Sequence, residues 1–212
     1  MIHLKLFGEI KLRILLLRHG QSEANKNDII QGHMESPLSE LGRQQAETAG
    51  KELSKSKIEF DAVYSSDLIR AEETVKIITG ILGIKDIVFD IRLREFNLGD
   101  YEGKNSKKLS EKEDALLKSC WDDYTIRIPN GETVNEFIQR IKGIFDEIVE
   151  AAKDDSTILI VGHGGTLYHI LQSILNILPN NQAWFVNCSV NEVFYSPKDE
   201  KWTLVKYNGE EI

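Results

Sequence analysis

Short aliphatic runs alternate along the chain with stretches in which apolar residues recur every three or four positions. The first pattern belongs to strands buried on both faces, the second to helices that lay one stripe on a core. Arg13 to Leu17, Ala62 to Tyr64 and Ile158 to Val161 read as buried strands, and another is expected near Ile87 to Leu93. A helix should open at Pro37, Leu38 and Ser39 and run to about Leu53, with Leu41, Ala49 and Leu53 on one face. A second, near Asp67 to Leu82, carries Leu68, Ala71, Val75, Ile78 and Leu82 as its apolar stripe. The clearest helix begins at Thr133, where the hydroxyl and Glu136 fit a capping box, and its core face runs from Val134 and Phe137 to Ile148 and Val149. Leu167 to Leu175 reads as another helix, and Val186 to Tyr195 with Trp202 to Tyr207 as closing strands. The alternation predicts an α/β fold: a mainly parallel central sheet covered by helices on both faces, in three layers.

The least regular stretch is Gly103 to Pro129, charged at first and then carrying Trp121, Tyr124, Ile126 and Ile128. It is expected to be an insertion that covers a pocket, or else a poorly patterned helix and loop. Residues 1–12 look like an added segment of no evident function. At 212 residues, 41% hydrophobic and 28% charged, the chain fits one folded domain, 1–212.

A formal net charge of −8 argues against bulk nucleic-acid or anionic-membrane binding, so an anionic ligand would need a local cationic pocket. The longest purely aliphatic run, Ile14 to Leu17, is far too short to cross a bilayer, and the first twelve residues lack a signal peptide's apolar core. A cytoplasmic protein is expected. Cys120 and Cys188 lie far apart with no metal-ligand or redox spacing, and read as two structural thiols.

In open α/β sheets ligands bind beyond the carboxyl ends of the strands, so polar residues just after the aliphatic runs deserve the search. Ile14 to Leu17 ends in Arg18-His19-Gly20; Val63-Tyr64 leads through Ser65-Ser66-Asp67 to Arg70; the expected strand ending at Leu93 delivers Arg94-Glu95; and Ile158 to Val161 ends in Gly162-His163-Gly164-Gly165. Each alone is a weak signal, since strand-end histidines usually serve structure and helix arginines are usually solvated. Their repetition after successive strands is the stronger observation. Arg70 also falls in the first turn of its helix, where the macrodipole disfavours a cation unless an anion lies beside it. The turns after Gly20 and at Gly164-Gly165 are expected to offer backbone N–H donors to a phosphate.

With these residues in view, the chain resembles the histidine phosphatase superfamily, the phosphoglycerate mutase-like family, from Arg13 to Asn208. The matching blocks are Leu17 to Asn25, Gln31-Gly32 through Ser36-Pro37-Leu38-Ser39, Ser65 to Ala71, Leu93-Arg94-Glu95 through Gly99 to Gly103, Pro129 to Glu132, and Val161 to Gly165. Gln21 stands where the family often has Glu, and His33 where an aromatic residue is usual. The resemblance implies the family's αβα sandwich and a metal-independent phosphatase that needs no cofactor and acts on a small phosphomonoester. It implies His19 as nucleophile, Glu95 as proton donor and acceptor, and Arg18, Arg70 and His163 as the phosphate-holding set, with Asn25, Gln31, Gly32 and Gly164 adding contacts. The chemistry suits these residue types. Arginine forks stabilise the equatorial oxygens of a transferring phosphoryl group, and a histidine kept neutral by neighbouring cations can attack phosphorus.

A mutase of the same family is the nearest alternative. Phosphoglycerate mutases resemble the chain in the first and last blocks but carry Glu-Arg-His-Tyr where Glu95-Phe96-Asn97-Leu98 stands, and the following Gly-Asp-Tyr-Glu-Gly is phosphatase-like. A non-catalytic phospho-ligand module should have lost His19, Arg70, Glu95 or His163, all of which are present. A metallohydrolase lacks support in ligand spacing, because His163 and His169 would point far apart on one helix.

Overall fold

The computed structural model describes residues 12–178 and 185–212, and in it the aliphatic runs form the middle of a seven-stranded sheet. Strands β1 (Leu12–Arg18), β2 (Ala62–Ser65), β3 (Val88–Phe89) and β4 (Ser156–Gly162) are mutually parallel in the order β3-β2-β4-β1. Strands β5 (Val190–Ser196), β6 (Lys201–Tyr207) and β7 (Glu210–Glu211) extend the β1 edge antiparallel. The side-chain period of two explains why Ile14 to Leu17 of β1 is aliphatic throughout. Ile14 and Leu16 enter a core with Ile158, Ile160, Phe137, Ile141 and Leu167, while Leu15 and Leu17 enter the opposite one with Leu159, Val161, Ala71, Val75 and Ile78. Full burial of each of these side chains stabilises the fold by roughly 1.5–3 kcal/mol.

After the short α1 (Glu23–Lys26), helices α2 (Glu40–Ser56) and α3 (Ile69–Leu82) cover one face of the sheet; α5 (Val134–Ala151) and α6 (Gly164–His169), which continues as a π turn over Ile170–Ile174, cover the other. This is the expected αβα sandwich, with the sheet mixed at one side. The capping box expected at Thr133 and Glu136 forms at the start of α5.

Several expectations about local structure are corrected. The inner face of α2 is Gly42, Ala46, Ala49, Gly50 and Leu53, and Leu41 points outward at 49% exposure. Ala49 and Leu53 lie on the inner face as expected; Leu41 does not, being about 80–120° around the helix from them, and Gly42, Ala46 and Gly50, which carry little hydrophobic signal, complete the face. The strand expected at Ile87 to Leu93 is only Val88–Phe89; Asp90 accepts the backbone N–H of Arg92 and turns the chain into a 3-10 helix, Ile91–Leu93. The strand expected from Val186 begins at Val190, after a turn at Asn187 and Cys188 in which Cys188 has φ +57. Within 103–129 lies an ordered helix, α4 (Glu111–Asp122), with its own Ser110–Glu113 capping box. Of the segment expected at residues 1–12, all but Leu12 falls outside the described residues. Among the described residues no helix is long and apolar enough to cross a membrane.

Candidate active site

The parallel arrangement of β1 and β4 sets Arg18 opposite Gly162, so both strands end together. His19 follows immediately, its N–H bonded to the Gly162 carbonyl at 2.9 Å, and His163 follows Gly162 on the neighbouring strand. The two imidazoles meet with ring centroids 5.1 Å apart. Backbone packing fixes this corner: a Cβ on Gly20 would lie 2.5 Å from the Gly42 carbonyl oxygen, and one on Gly42 would lie 2.0 Å from that of Gln21. The small face of α2 is what lets the His19 turn sit so close to the helix.

His19 is 3% exposed, and its Nδ1 lies 2.7 Å from the carbonyl oxygen of Gly20. A carbonyl can only accept, so Nδ1 carries the proton and Nε2 keeps a lone pair. Burial first, then the Arg70 and Arg18 guanidinium groups, hold the imidazole well below its usual range, which keeps it neutral. Burial and the same cations push His163 down as well. His163 Nε2 lies 2.8 Å from Ser66 Oγ.

Arg70, 1% exposed, donates from Nη2 to Gly32 O at 2.7 Å and from Nη1 to Met34 O at 3.1 Å. Burial lowers its guanidinium to about 10, partly offset by Glu95, Glu35 and Glu102, so it remains a cation at neutral pH. Arg18 donates from Nη1 to the carbonyl of Phe185. Burial lowers its pKa too, against the raising effect of the nearby Glu95 carboxylate. Among the described residues, the buried side-chain nitrogens without a partner are Arg18 Nε, Arg70 Nε, His163 Nδ1 and His169 Nε2. The first three belong to this corner. Leaving the two arginine donors unmet costs about 1–3 kcal/mol each, a cost that an anion with several acceptor oxygens removes.

Glu95 reaches the same place from the loop after the 3-10 turn rather than from a strand. Its Oε1 accepts Phe96 N–H at 2.9 Å and its Oε2 accepts Gly165 N–H at 3.0 Å. A Cβ on Gly165 would lie 2.3 Å from Oε1, so the approach of this carboxylate requires a glycine there.

The structure therefore brings together Arg18, His19, Arg70, Glu95 and His163. Gly164 adjoins them, its Cβ position 3.7 Å from Arg18 Nε. Gly32, at φ +50, holds Arg70 through its carbonyl. Asn25 Oδ1 and Gln31 Oε1 are both engaged by the Ser22 hydroxyl, at 3.1 and 2.7 Å. Two of the backbone donors expected for phosphate are committed elsewhere, Gly20 N–H to Thr74 Oγ1 at 3.0 Å and Gly165 N–H to Glu95. Three residues went unsuspected: Asn187, whose amide donates to His19 O at 2.8 Å; Thr74, whose hydroxyl links Gly20 to Arg70 O; and Arg140, bound to the Glu95 carbonyl at 2.6 Å. No short-range pattern marks them, since each acts through a contact distant in sequence. Glu102, the other acid of its block, joins two loops by accepting the N–H groups of His33 and Leu98. Among the described residues, no group of three or more His, Cys, Asp and Glu side chains is disposed to hold a metal ion.

Residues 14–210 match the Histidine phosphatase superfamily (branch 1). A Hydrogenobacter thermophilus protein named as a phosphoserine phosphatase is 34% identical over 200 residues, covering 92% of this chain and 95% of its own length. Escherichia coli proteins named as phosphoglycerate mutase GpmB are 35% identical over 197 residues, covering 87% of this chain and 85% of theirs. Among solved structures, a mycobacterial glucosyl-3-phosphoglycerate phosphatase is similar with a TM-score of 0.80 and 28% identity, over 93% of this chain and 99% of that one. A family match across nearly the whole sequence, joined to relatives more than 30% identical, establishes that the chain belongs to the histidine phosphatase superfamily, branch 1.

Proposed function

We propose that the chain is a phosphatase that hydrolyses a small phosphomonoester in two steps, with phosphate carried transiently on His19. In the first step the Nε2 lone pair of His19 attacks phosphorus, the bond to the ester oxygen breaks, and Glu95 supplies the proton that oxygen needs. In the second step water attacks the phosphohistidine, Glu95 takes the water's proton, the P–N bond breaks, and inorganic phosphate leaves a neutral His19 behind. Arg18, Arg70 and His163 hold the phosphoryl oxygens through Nε, Nε and Nδ1, stabilising charge that a metal ion supplies in other phosphatases.

The observation that carries this reading is the coincidence of two buried unmet arginine donors and an unpartnered His163 nitrogen with a histidine whose tautomer leaves Nε2 free. Within the segment 103–129, Trp121 of α4 packs on Phe96, the residue after Glu95, at a ring distance of 5.7 Å.

A mutase reading is favoured by the names of the Escherichia coli relatives. Against it stand the side chains that follow Glu95. Phe96 is buried in the core and Asn97 Oδ1 accepts the N–H of Gly99, and neither supplies the cation that holding a carboxylate-bearing intermediate for a second transfer calls for. A panel of phosphomonoesters, followed for both phosphate release and isomerisation, decides between them. Phosphate release from the best substrate should exceed conversion of 3-phosphoglycerate to its isomer, with bisphosphoglycerate primer, by at least roughly 10²-fold, equivalent to about 2.7 kcal/mol in barrier. Isomerisation faster than release from every substrate would overturn the phosphatase reading.

A further inference from the structure

We infer that Arg140, locked by Glu132, is the positioning residue that sets where Glu95 presents its carboxyl group to the leaving oxygen. The inference rests on the reading of Glu95 as the proton donor.

Arg140 lies on α5, and on sequence alone it is an ordinary helix cation. Its guanidinium has five N–H donors, and all five are used. Nη1 donates to the carbonyls of Arg92 at 2.9 Å and Arg94 at 2.7 Å; Nη2 donates to Glu95 O at 2.6 Å and to Glu132 Oε1 at 2.7 Å; Nε donates to Glu132 Oε2 at 3.0 Å. Three carbonyls of one loop thus converge on a single planar group. Glu132 fixes that group from behind by the bidentate geometry specific to arginine and carboxylate, and its Oε1 also accepts Asn97 N–H at 2.8 Å. The Phe137 ring supports the guanidinium from one face, with Cζ 4.7 Å from the centroid.

The segment gripped in this way is the one that carries Glu95. A second donor, His33 Nε2, meets Glu95 O at 2.8 Å from the opposite loop, so both lone pairs of that carbonyl are engaged. With the backbone pinned, the two carboxylate oxygens are set by Phe96 N–H and Gly165 N–H. The loop has no sheet ladder to locate it, since β3 ends at Phe89. Arginine is required because a lysine offers three donors from one point and cannot reach three carbonyls and two carboxylate oxygens together.

The test compares two kinds of substrate: an alkyl phosphate taken from the panel, and an activated dinitrophenyl phosphate whose leaving group departs without a proton. The quantity is kcat/KM, which reports phosphoenzyme formation, alongside the inhibition constant of inorganic phosphate, which reports the arginine and histidine cradle. Glu95→Gln should lower kcat/KM for the alkyl ester by roughly 10² or more and for the activated ester far less. Arg140→Lys should reproduce that selectivity at roughly tenfold or more on the alkyl ester, the scale of a small misplacement of a reacting group, with the activated ester changed less than about threefold. Phosphate inhibition should stay as in the parent protein, and adding Arg140→Lys to Glu95→Gln should cost nothing further. Glu132→Gln, which keeps Arg140 but breaks the bidentate lock, should show the same selectivity and carries the comparison if Arg140→Lys does not fold. Equal losses on both esters in Arg140→Lys and Glu132→Gln, or weakened phosphate inhibition, would overturn the inference while Glu95→Gln remained selective. Equal losses in Glu95→Gln would overturn the proton-donor reading and the inference with it.

Discussion

His169 offers a quantitative test of the packing behind the site. It is fully buried among Phe137, Trp121, Tyr124 and Tyr168, its Nδ1 lies 2.8 Å from Ser173 Oγ, and its Nε2 has no partner among the described residues. Burial alone lowers its pKa from 6.5 to about 4. Between those values the unfolded chain binds a proton at this position and the folded chain does not, so folding loses stability as pH falls below 6.5 and levels off below about 4. At pH 5 the loss is RT ln(1 + 10^1.5), about 2 kcal/mol, less a correction under about 0.1 kcal/mol for the folded form. His169→Phe places a non-titrating ring in the same aromatic pocket. At pH 8 the variant loses a hydrogen bond worth about 1 kcal/mol but removes a buried unmet nitrogen costing about 1–3 kcal/mol, so the two proteins should be of similar stability. At pH 5 the variant should be favoured by about 2 kcal/mol relative to that baseline. Urea unfolding of both proteins at the two pH values measures the difference directly. Parallel pH dependence in parent and variant would refute the assignment of His169 as a buried neutral histidine.

Gly165→Ala drives a methyl group into Glu95 Oε1. Because the far end of a side chain can move, the variant should remain folded, while turnover of alkyl phosphates falls by roughly tenfold or more; unchanged turnover would show that the observed Glu95 position is not the working one. Chelator should leave phosphatase activity intact, since arginines stabilise the phosphoryl charge; loss in EDTA with recovery on adding zinc or magnesium would reject that role.

How far this site could be read without coordinates depended on the kind of signal. The two histidines and Arg18 follow aliphatic strands, and parallel pairing of those strands brings their ends together by necessity. Glu95 was locatable as an acid after an apolar segment, although Asp90 ends the strand early and a 3-10 turn delivers the residue. On α2, Ala49 and Leu53 are legible as inner-face residues, whereas Gly42, Ala46 and Gly50 are not, since the value of such small residues lies in close backbone approach rather than apolar area. Helix α4 is legible only as a poorly patterned helix within 103–129, since Leu116, Leu117 and Cys120 make a thin stripe, although the Ser110–Glu113 capping box is present in the sequence. Glu132 is legible only as the end of the Pro129 to Glu132 block, and Arg140 only as a helix cation. Beyond each other, their partners are backbone carbonyls and amides about 35 to 50 residues away, and backbone atoms leave no trace in a sequence pattern.

If His19 carries the phosphate, the covalent intermediate can be trapped on its imidazole. The protein is mixed with a substrate labelled in its phosphate, quenched in alkali during turnover, digested and mapped. The account predicts label on His19, stable in alkali and lost in acid, and none in His19→Ala. Label on any other residue, or label that persists in His19→Ala, would contradict it.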